Sequence, residues 1–222
     1  DRYSHISDKV KDLQKVAFNA EMIYALDPSL VLASNFSSAK TKSALEKLGV
    51  NVRLISFARS VEDIEKNIFI LGELLNAESH AQELTSLLKS PKVDTKHVKQ
   101  LIALQYSTNR FVHGHNSLIS SIIRRSGFKS YSEFLGYNEG RYISAEALVK
   151  SAPDVLILDG DKSFSNKSGS ILYHPALLKG KSKTKALFIE TKHWSCGTPK
   201  VVDLITRLSS EYIKLVGQNN AS

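Results

Sequence analysis

Residues 19–34 read Asn19-Ala20-Glu21-Met22-Ile23-Tyr24-Ala25-Leu26-Asp27-Pro28-Ser29-Leu30-Val31-Leu32-Ala33-Ser34, and residues 144–159 read Ser144-Ala145-Glu146-Ala147-Leu148-Val149-Lys150-Ser151-Ala152-Pro153-Asp154-Val155-Leu156-Ile157-Leu158-Asp159. The two stretches follow one pattern. Each opens on a residue whose side-chain oxygen can accept from the free N–H groups of a first helical turn, Asn19 or Ser144, and continues with Ala-Glu, whose carboxylate suits the positive end of a helix. Eight residues after that alanine a proline, Pro28 or Pro153, stops the helix. The apolar runs that follow, 30–33 and 155–158, lack the polar alternation of a half-exposed strand and read as strands buried on both faces. Two such helix–loop–strand units, 125 positions apart, predict two similar α/β lobes facing each other with a ligand site between them.

The pattern extends outward from both copies. Residues 39–48 predict a helix closed by Gly49, and 52–55 predict the next strand. Ser60 caps an amphipathic helix carrying Val61, Ile64, Ile68, Leu71 and Leu75 on one face, and after a break near Asn76 residues 77–88 resume it as a helical connector. A polar stretch, 89–99, leads to a strand at 101–104, a loop at 105–116 and a helix with Leu118, Ile119, Ile122 and Ile123 that ends at Gly127. Residues 131–142 form an aromatic-rich connection to the second copy. Beyond it come a Ser/Asn/Lys/Gly loop at 161–170, a short turn or helix at 174–178 in which His174 is a turn residue, and a strand at 186–189. A final helix starts near Thr198-Pro199 and carries Val202, Ile205, Leu208, Tyr212 and Leu215. The first lobe shows two strands and lacks a counterpart to the strand and helix of 101–127. The expected fold is therefore α/β, two Rossmann-like lobes with parallel sheets joined by a long connecting helix, the first lobe incomplete at its N-terminus. The expected boundaries are 1–75 for the first lobe, 76–98 for the connecting helix and linker, and 99–222 for the second lobe.

Composition narrows the function classes. The chain of 222 residues is 42% hydrophobic and 23% charged, ordinary for a globular protein with a substantial core. Its longest apolar stretches fall far short of the roughly 20 residues that cross a bilayer. Residues 1–5 do not form a signal peptide, and a secreted precursor whose leader had been removed would look the same. The net charge of +8 comes from lysines set singly or in short groups, Lys40, Lys42 and Lys47 or Lys179, Lys181, Lys183 and Lys185, without interleaved aromatics. That favours an anionic ligand or plain solubility over nucleic acid. The single cysteine, Cys196, excludes an internal disulfide and a multi-cysteine metal site, and reads as a small packing residue. There is no Gly-x-Ser-x-Gly elbow, phosphate-binding glycine loop or His-Glu-x-x-His, so no catalytic residue and no cofactor is expected.

In open α/β lobes ligands bind beyond the carboxyl ends of the strands. The loops there are 34–36 and 56–59 in the first lobe, and 106–116, 159–162 and 190–196 in the second. Within them Trp194, Tyr106, Phe36, Phe57 and Phe111 offer aromatic faces, and Arg59 and Arg110 offer guanidinium groups for anionic edges. Asn35 and Asn116 supply loop hydrogen bonds. His113 and His115 carry imidazoles able to ligate haem iron. A bare metal ion would need three or four converging ligands, which the loops do not supply, so these histidines read as loop residues at the ligand and no metal is expected.

These residues resemble a known family. The repeated unit, Ser60-Val61-Glu62-Asp63-Ile64 with Leu71-Gly72 further on, and Ser144-Ala145-Glu146-Ala147-Leu148 before Pro153-Asp154 are similar to the substrate-binding proteins of ABC importers for ferric siderophores, haem and vitamin B12. The resemblance spans about residues 15–215 in order and spacing. One subgroup carries Asn-Gly-aromatic-x-x-Gly after the first strand of the second lobe and Trp-x-Cys-Gly-x-Pro before the final helix. This chain has Asn109-Arg110-Phe111-Val112-His113-Gly114, departing at Arg110 where glycine is usual, and Trp194-Ser195-Cys196-Gly197-Thr198-Pro199. The resemblance implies two lobes on one rigid helix with small relative movements. It also implies a monomeric periplasmic protein that captures an iron complex, haem or cobalamin and delivers it to a membrane permease. Two alternatives stand beside it: a two-lobed α/β enzyme, recognised by turnover, and an assembly partner with no small ligand, recognised by a buried cleft in an oligomer.

Overall fold

The computed structural model describes residues 6–89, 100–107, 110–159, 184–190 and 192–220. The first part of the chain forms α1 (Ala20–Tyr24), β1 (Val31–Ser34), α2 (Ala39–Lys47), β2 (Val52–Ile55), α3 (Val61–Leu74) and α4 (Glu78–Leu87). The remainder forms β3 (Ile102–Tyr106), β4 (Phe111–Val112), α5 (Leu118–Arg125), β5 (Lys129–Ser130), α6 (Tyr131–Phe134), β6 (Arg141–Tyr142), α7 (Ala145–Lys150), β7 (Val155–Asp159), β8 (Lys185–Ile189), α8 (Lys192–Ser195) and α9 (Val201–Asn220).

Both copies of the repeated pattern fold as their residues dictate. The Asn19 side chain accepts from the Glu21 and Met22 N–H groups at 2.9 and 3.2 Å, and Ser144 Oγ accepts from the Ala147 N–H at 3.2 Å. Each short helix then hands over to a parallel strand. β1 pairs with β2, Val31 opposite Val52 through Ser34 opposite Ile55. β3, β5, β7 and β8 form a four-stranded parallel sheet in the order β5-β3-β7-β8.

The missing alternation in β7 has its expected cause. Val155 and Ile157 join Ala103, Ile189 and the inner faces of α5 and α9 in one apolar layer. Leu156 and Leu158 point the other way, into a second layer with Leu104, Tyr106, Tyr131, Ile143 and Leu148. The two-stranded sheet is covered less well. Leu32 lies opposite Arg53 and Leu54 opposite Ala33, so the two leucines occupy opposite faces, and they are 44% and 52% exposed.

The helical connector breaks near Asn76, as expected, and its two helices fold back on each other. Asn76, at φ 51°, turns the chain between α3 and α4, which pack on each other instead of continuing as one long helix. α4 ends at Leu87, and residues 90–99 of the expected connector lie outside the described residues. So do Asn109, the loop at 161–170 and the turn at 174–178. The aromatic-rich connection at 131–142 resolves into α6 and the edge of an antiparallel ribbon, β4 with β6, in which Phe111 faces Tyr142. Two-residue strands carry no periodicity, and only this pairing reveals them.

Candidate functional site

The carboxyl ends of both sheets carry aromatic pairs, two exposed rings in the first and an exposed ring on a half-buried one in the second. Beyond β1 and β2, Phe36 and Phe57 are 78% and 57% exposed and meet edge to face with ring centroids 5.8 Å apart. The Phe36 loop is tied down locally: the Phe36 N–H donates to Ser34 Oγ at 3.2 Å, and the Ser34 N–H donates to Ser37 Oγ at 3.0 Å. Beyond β3 the chain turns back through Arg110, whose N–H donates to the Ser107 carbonyl at 2.8 Å, and enters the β4–β6 ribbon. There Tyr142, 72% exposed, meets Phe111 edge to face at 5.3 Å. Arg141 stacks on Tyr137 with its guanidinium carbon 3.5 Å from the ring centroid. The ribbon therefore presents aromatic faces and positive charge together.

Arg110 stands at φ 66°, the left-handed region that a side chain disfavours by about 1–2 kcal/mol. The position where the resembling subgroup has glycine is thus one whose backbone calls for it. Arg110→Gly is expected to raise stability by about 0.5–1 kcal/mol, the relieved strain less the roughly 0.5–1 kcal/mol of chain entropy a glycine adds to the unfolded state. Urea denaturation of the two proteins checks this.

The two histidines are held differently. The Arg124 guanidinium, which can only donate, reaches His115 Nδ1 at 3.1 Å and the His115 carbonyl at 3.0 Å. Nδ1 therefore accepts, and the neutral ring carries its proton on Nε2, the arrangement of a hydrogen-bond donor and not of an Nε2 metal ligand. His113 is half-buried, set edge to face against Phe111 at 5.1 Å, and lines a cavity of about one water's size with Ser120, Ser130, Tyr131 and Ser132. Burial holds its imidazole below the ordinary 6.5. The folded state thus binds fewer protons than the unfolded state in the window below 6.5. Stability from this group is fully present above pH 6.5 and is lost as the pH falls through the folded value. His113→Asn is expected to flatten that slope in thermal melts between pH 7.5 and 5.

Other expected site residues lie deeper. Trp194, expected at a ligand cleft, is 5% exposed and packs in the apolar layer that includes Ala58, Val61, Ile64 and Ile119, where an indole gains more from burial than from an open loop. Tyr106 is also fully buried; its hydroxyl donates to the Ile143 carbonyl at 3.1 Å, and burial raises its pKa, only partly offset by the Arg110 charge. Asn35, Arg59, Arg110 and Asn116 are exposed at the strand ends, where expected. Arg59 and Asn116 are placed by their backbones, the first through its N–H to Asp63 Oδ2 at 3.0 Å and the second through its N–H to the Asn138 carbonyl at 3.3 Å. Tyr142, Arg141 and Tyr137 escape sequence reading. The available signal was the aromatic and cationic run at 137–142 just before an N-cap serine, which a loop reading absorbs.

The profile of the periplasmic binding protein family matches residues 5–187. The chain belongs to that family. Among curated relatives, an uncharacterised ABC transporter substrate-binding lipoprotein of Bacillus subtilis is 25% identical over 178 residues, covering 73% of this chain and 56% of the relative. The chain spans about half the length of the curated relatives it matches. Among solved structures, the periplasmic vitamin B12 binding protein BtuF of Vibrio cholerae aligns with a TM-score of 0.70 at 16% identity, covering 96% of this chain and 88% of that one. The periplasmic haem binding protein HutB of Vibrio cholerae aligns with a TM-score of 0.69 at 17% identity, covering 89% and 81%. The chain shares their two-lobed α/β fold, in which the loops at the carboxyl ends of the strands are where a ligand finds its contacts.

Proposed function

We propose that this chain captures a large metal complex with a flat conjugated face and an anionic edge, a ferric siderophore, haem or cobalamin, between its two lobes. It then hands the complex to the permease of an ABC importer, acting as a monomer outside the cytoplasmic membrane. One observation carries the reading: beyond the parallel sheet of each lobe stands an aromatic pair that offers an exposed ring, Phe36 with Phe57 in the first and Tyr142, backed by the half-buried Phe111, in the second. Exposed rings at two such places are costly in water and are repaid on contact with a flat ligand. Arg59, Arg110 and Arg141 supply charge for carboxylates, catecholates or a phosphate, and Asn35, Asn116 and His115 supply hydrogen bonds. The lobes run from the start to about residue 75 and from about residue 99 onward, with the connector between. The relatives' names support the class, one being a cobalamin-binding protein of Halobacterium salinarum and another the haem binding protein above.

The test is a titration of the purified protein with haem, cobalamin and a panel of ferric siderophores, followed by ligand absorbance and by emission of Trp194, the single tryptophan. One of them is expected to saturate with a dissociation constant in the micromolar range or below. If all of them leave both signals unchanged, the ligand class is wrong.

A further inference from the structure

Helix ends leave backbone groups without intrahelical partners, and those groups must be met from elsewhere. At the start of α3 the buried N–H of Val61 donates to Ser121 Oγ, on α5 of the second lobe, at 3.3 Å. One turn further along α5, Arg125 forms an ion pair with Glu62 Oε1 at 2.8 Å, and its other terminal nitrogen donates to the Leu88 carbonyl at 3.1 Å. Leu88 is the C-cap of α4. Residues four apart share a helix face. A single face of α5 therefore satisfies groups at both ends of the α3–α4 pair, the N-terminus of one helix and the C-terminus of the other.

The surroundings are apolar and close, with the Glu62 carboxylate at their exposed edge. Val61, Ile64, Leu88 and Trp194 are buried together with Ile119 and Ile122 of α5. A Cβ at Gly197 would stand 3.0 Å from Ala58 Cβ and 3.4 Å from Ile64 Cγ1, so the turn after Trp194 sits directly against the first lobe. An apolar seam alone resists separation but tolerates sliding, because the hydrophobic effect has no direction. Hydrogen bonds to backbone groups have strict geometry, and removing one leaves a buried polar group unmet.

We infer that Ser121 and Arg125 are positioning residues for ligand capture: by capping both ends of the α3–α4 pair they fix the spacing and tilt of the lobes, and with them the separation of the two aromatic pairs. The inference rests on the proposed ligand site, yet its mechanical half is measured without ligand. Spin labels at Lys47→Cys in the first lobe and Lys150→Cys in the second, in a Cys196→Ser background, report the distance between lobes by pulsed electron resonance. The parent is expected to give one narrow distribution. Ser121→Ala and Arg125→Ala are expected to broaden and shift it and to weaken ligand binding about tenfold through a faster off-rate. Arg125→Lys, which keeps a charge for Glu62 but loses the fork that also reaches Leu88, should recover part of the shift. If Arg125→Ala does not fold, Ser121→Ala and Glu62→Gln carry the test. Distributions identical to the parent in the folded variants would overturn the inference, whatever the ligand proves to be. Altered distributions with no binding by any candidate ligand would leave the joint intact and remove the ligand reading instead.

Discussion

Gly114→Ala is expected to lower the unfolding free energy by about 3 kcal/mol, the upper end for overpacking, because the obstacle is backbone and not a movable side chain. A Cβ there would meet the Asn138 carbonyl oxygen and the Glu139 carbonyl carbon well inside van der Waals contact. The approach has a purpose. The N–H groups of His115 and Asn116 donate to the carbonyls of Tyr137 and Asn138 at 2.8 and 3.3 Å, stitching the loop after β4 to the segment that leads into β6. The Gly114 carbonyl in turn accepts from Ser117 Oγ at 2.7 Å and Ser120 Oγ at 2.8 Å, fixing the entry to α5. Pushing the two backbones apart would displace the ribbon that carries Phe111 and Tyr142, so ligand affinity is expected to fall together with stability. Gly217→Ala is the control. That glycine lies within α9 with nothing near its added Cβ, and the change is expected to stabilise by about 0.5–1 kcal/mol. Guanidinium melts of both variants check the pair.

Phe36→Ala and Tyr142→Ala are each expected to cost about 2 kcal/mol of ligand binding, roughly a 30-fold rise in dissociation constant. Both rings are largely exposed and held from one side by a single aromatic neighbour, Phe57 or Phe111, so their truncation removes ligand contact and little core. Unfolding stability should move by less than about 1 kcal/mol in either case. The two residues sit on different lobes, without shared partners, so the double variant is expected to lose close to the sum, about three orders of magnitude. Tyr142→Phe separates stacking from the hydroxyl and is expected to bind nearly as well as the parent. Calorimetric titration with whichever of haem, cobalamin and the ferric siderophores saturates the parent reads all four variants.

Much of the fold was legible because its signals are local and repeated. Asn19 and Ser144 mark helix starts, Pro28 and Pro153 mark stops, and the uniform apolar runs after them announce strands, although only β7 is covered on both faces while β1 leaves Leu32 exposed. Less of the site was legible. Trp194 and Tyr106 read as loop residues, yet Tyr106 closes β3 and Trp194 lies in α8, and nothing in the sequence there tells an inward ring from an outward one. Both are drawn into apolar layers, where Tyr106 spends its hydroxyl on the Ile143 carbonyl. Tyr142 goes the other way, because the ribbon that exposes it is made by pairing 111–112 with 141–142, a contact between segments thirty residues apart. Arg125 and Ser121 were equally silent, since a helix face that caps another helix looks like any amphipathic stripe with two polar positions. The break at Asn76 was visible, but the folding back of α4 on α3 that it produces was not.

The central claim is that one ligand touches both lobes at the carboxyl ends of their sheets. Amide hydrogen exchange of the protein, with and without saturating ligand, measures this most directly. Protection is predicted to appear together in peptides covering 34–37 and 56–59 of the first lobe and 110–116 and 140–143 of the second. Protection confined to one lobe, or centred away from these loops, would contradict it.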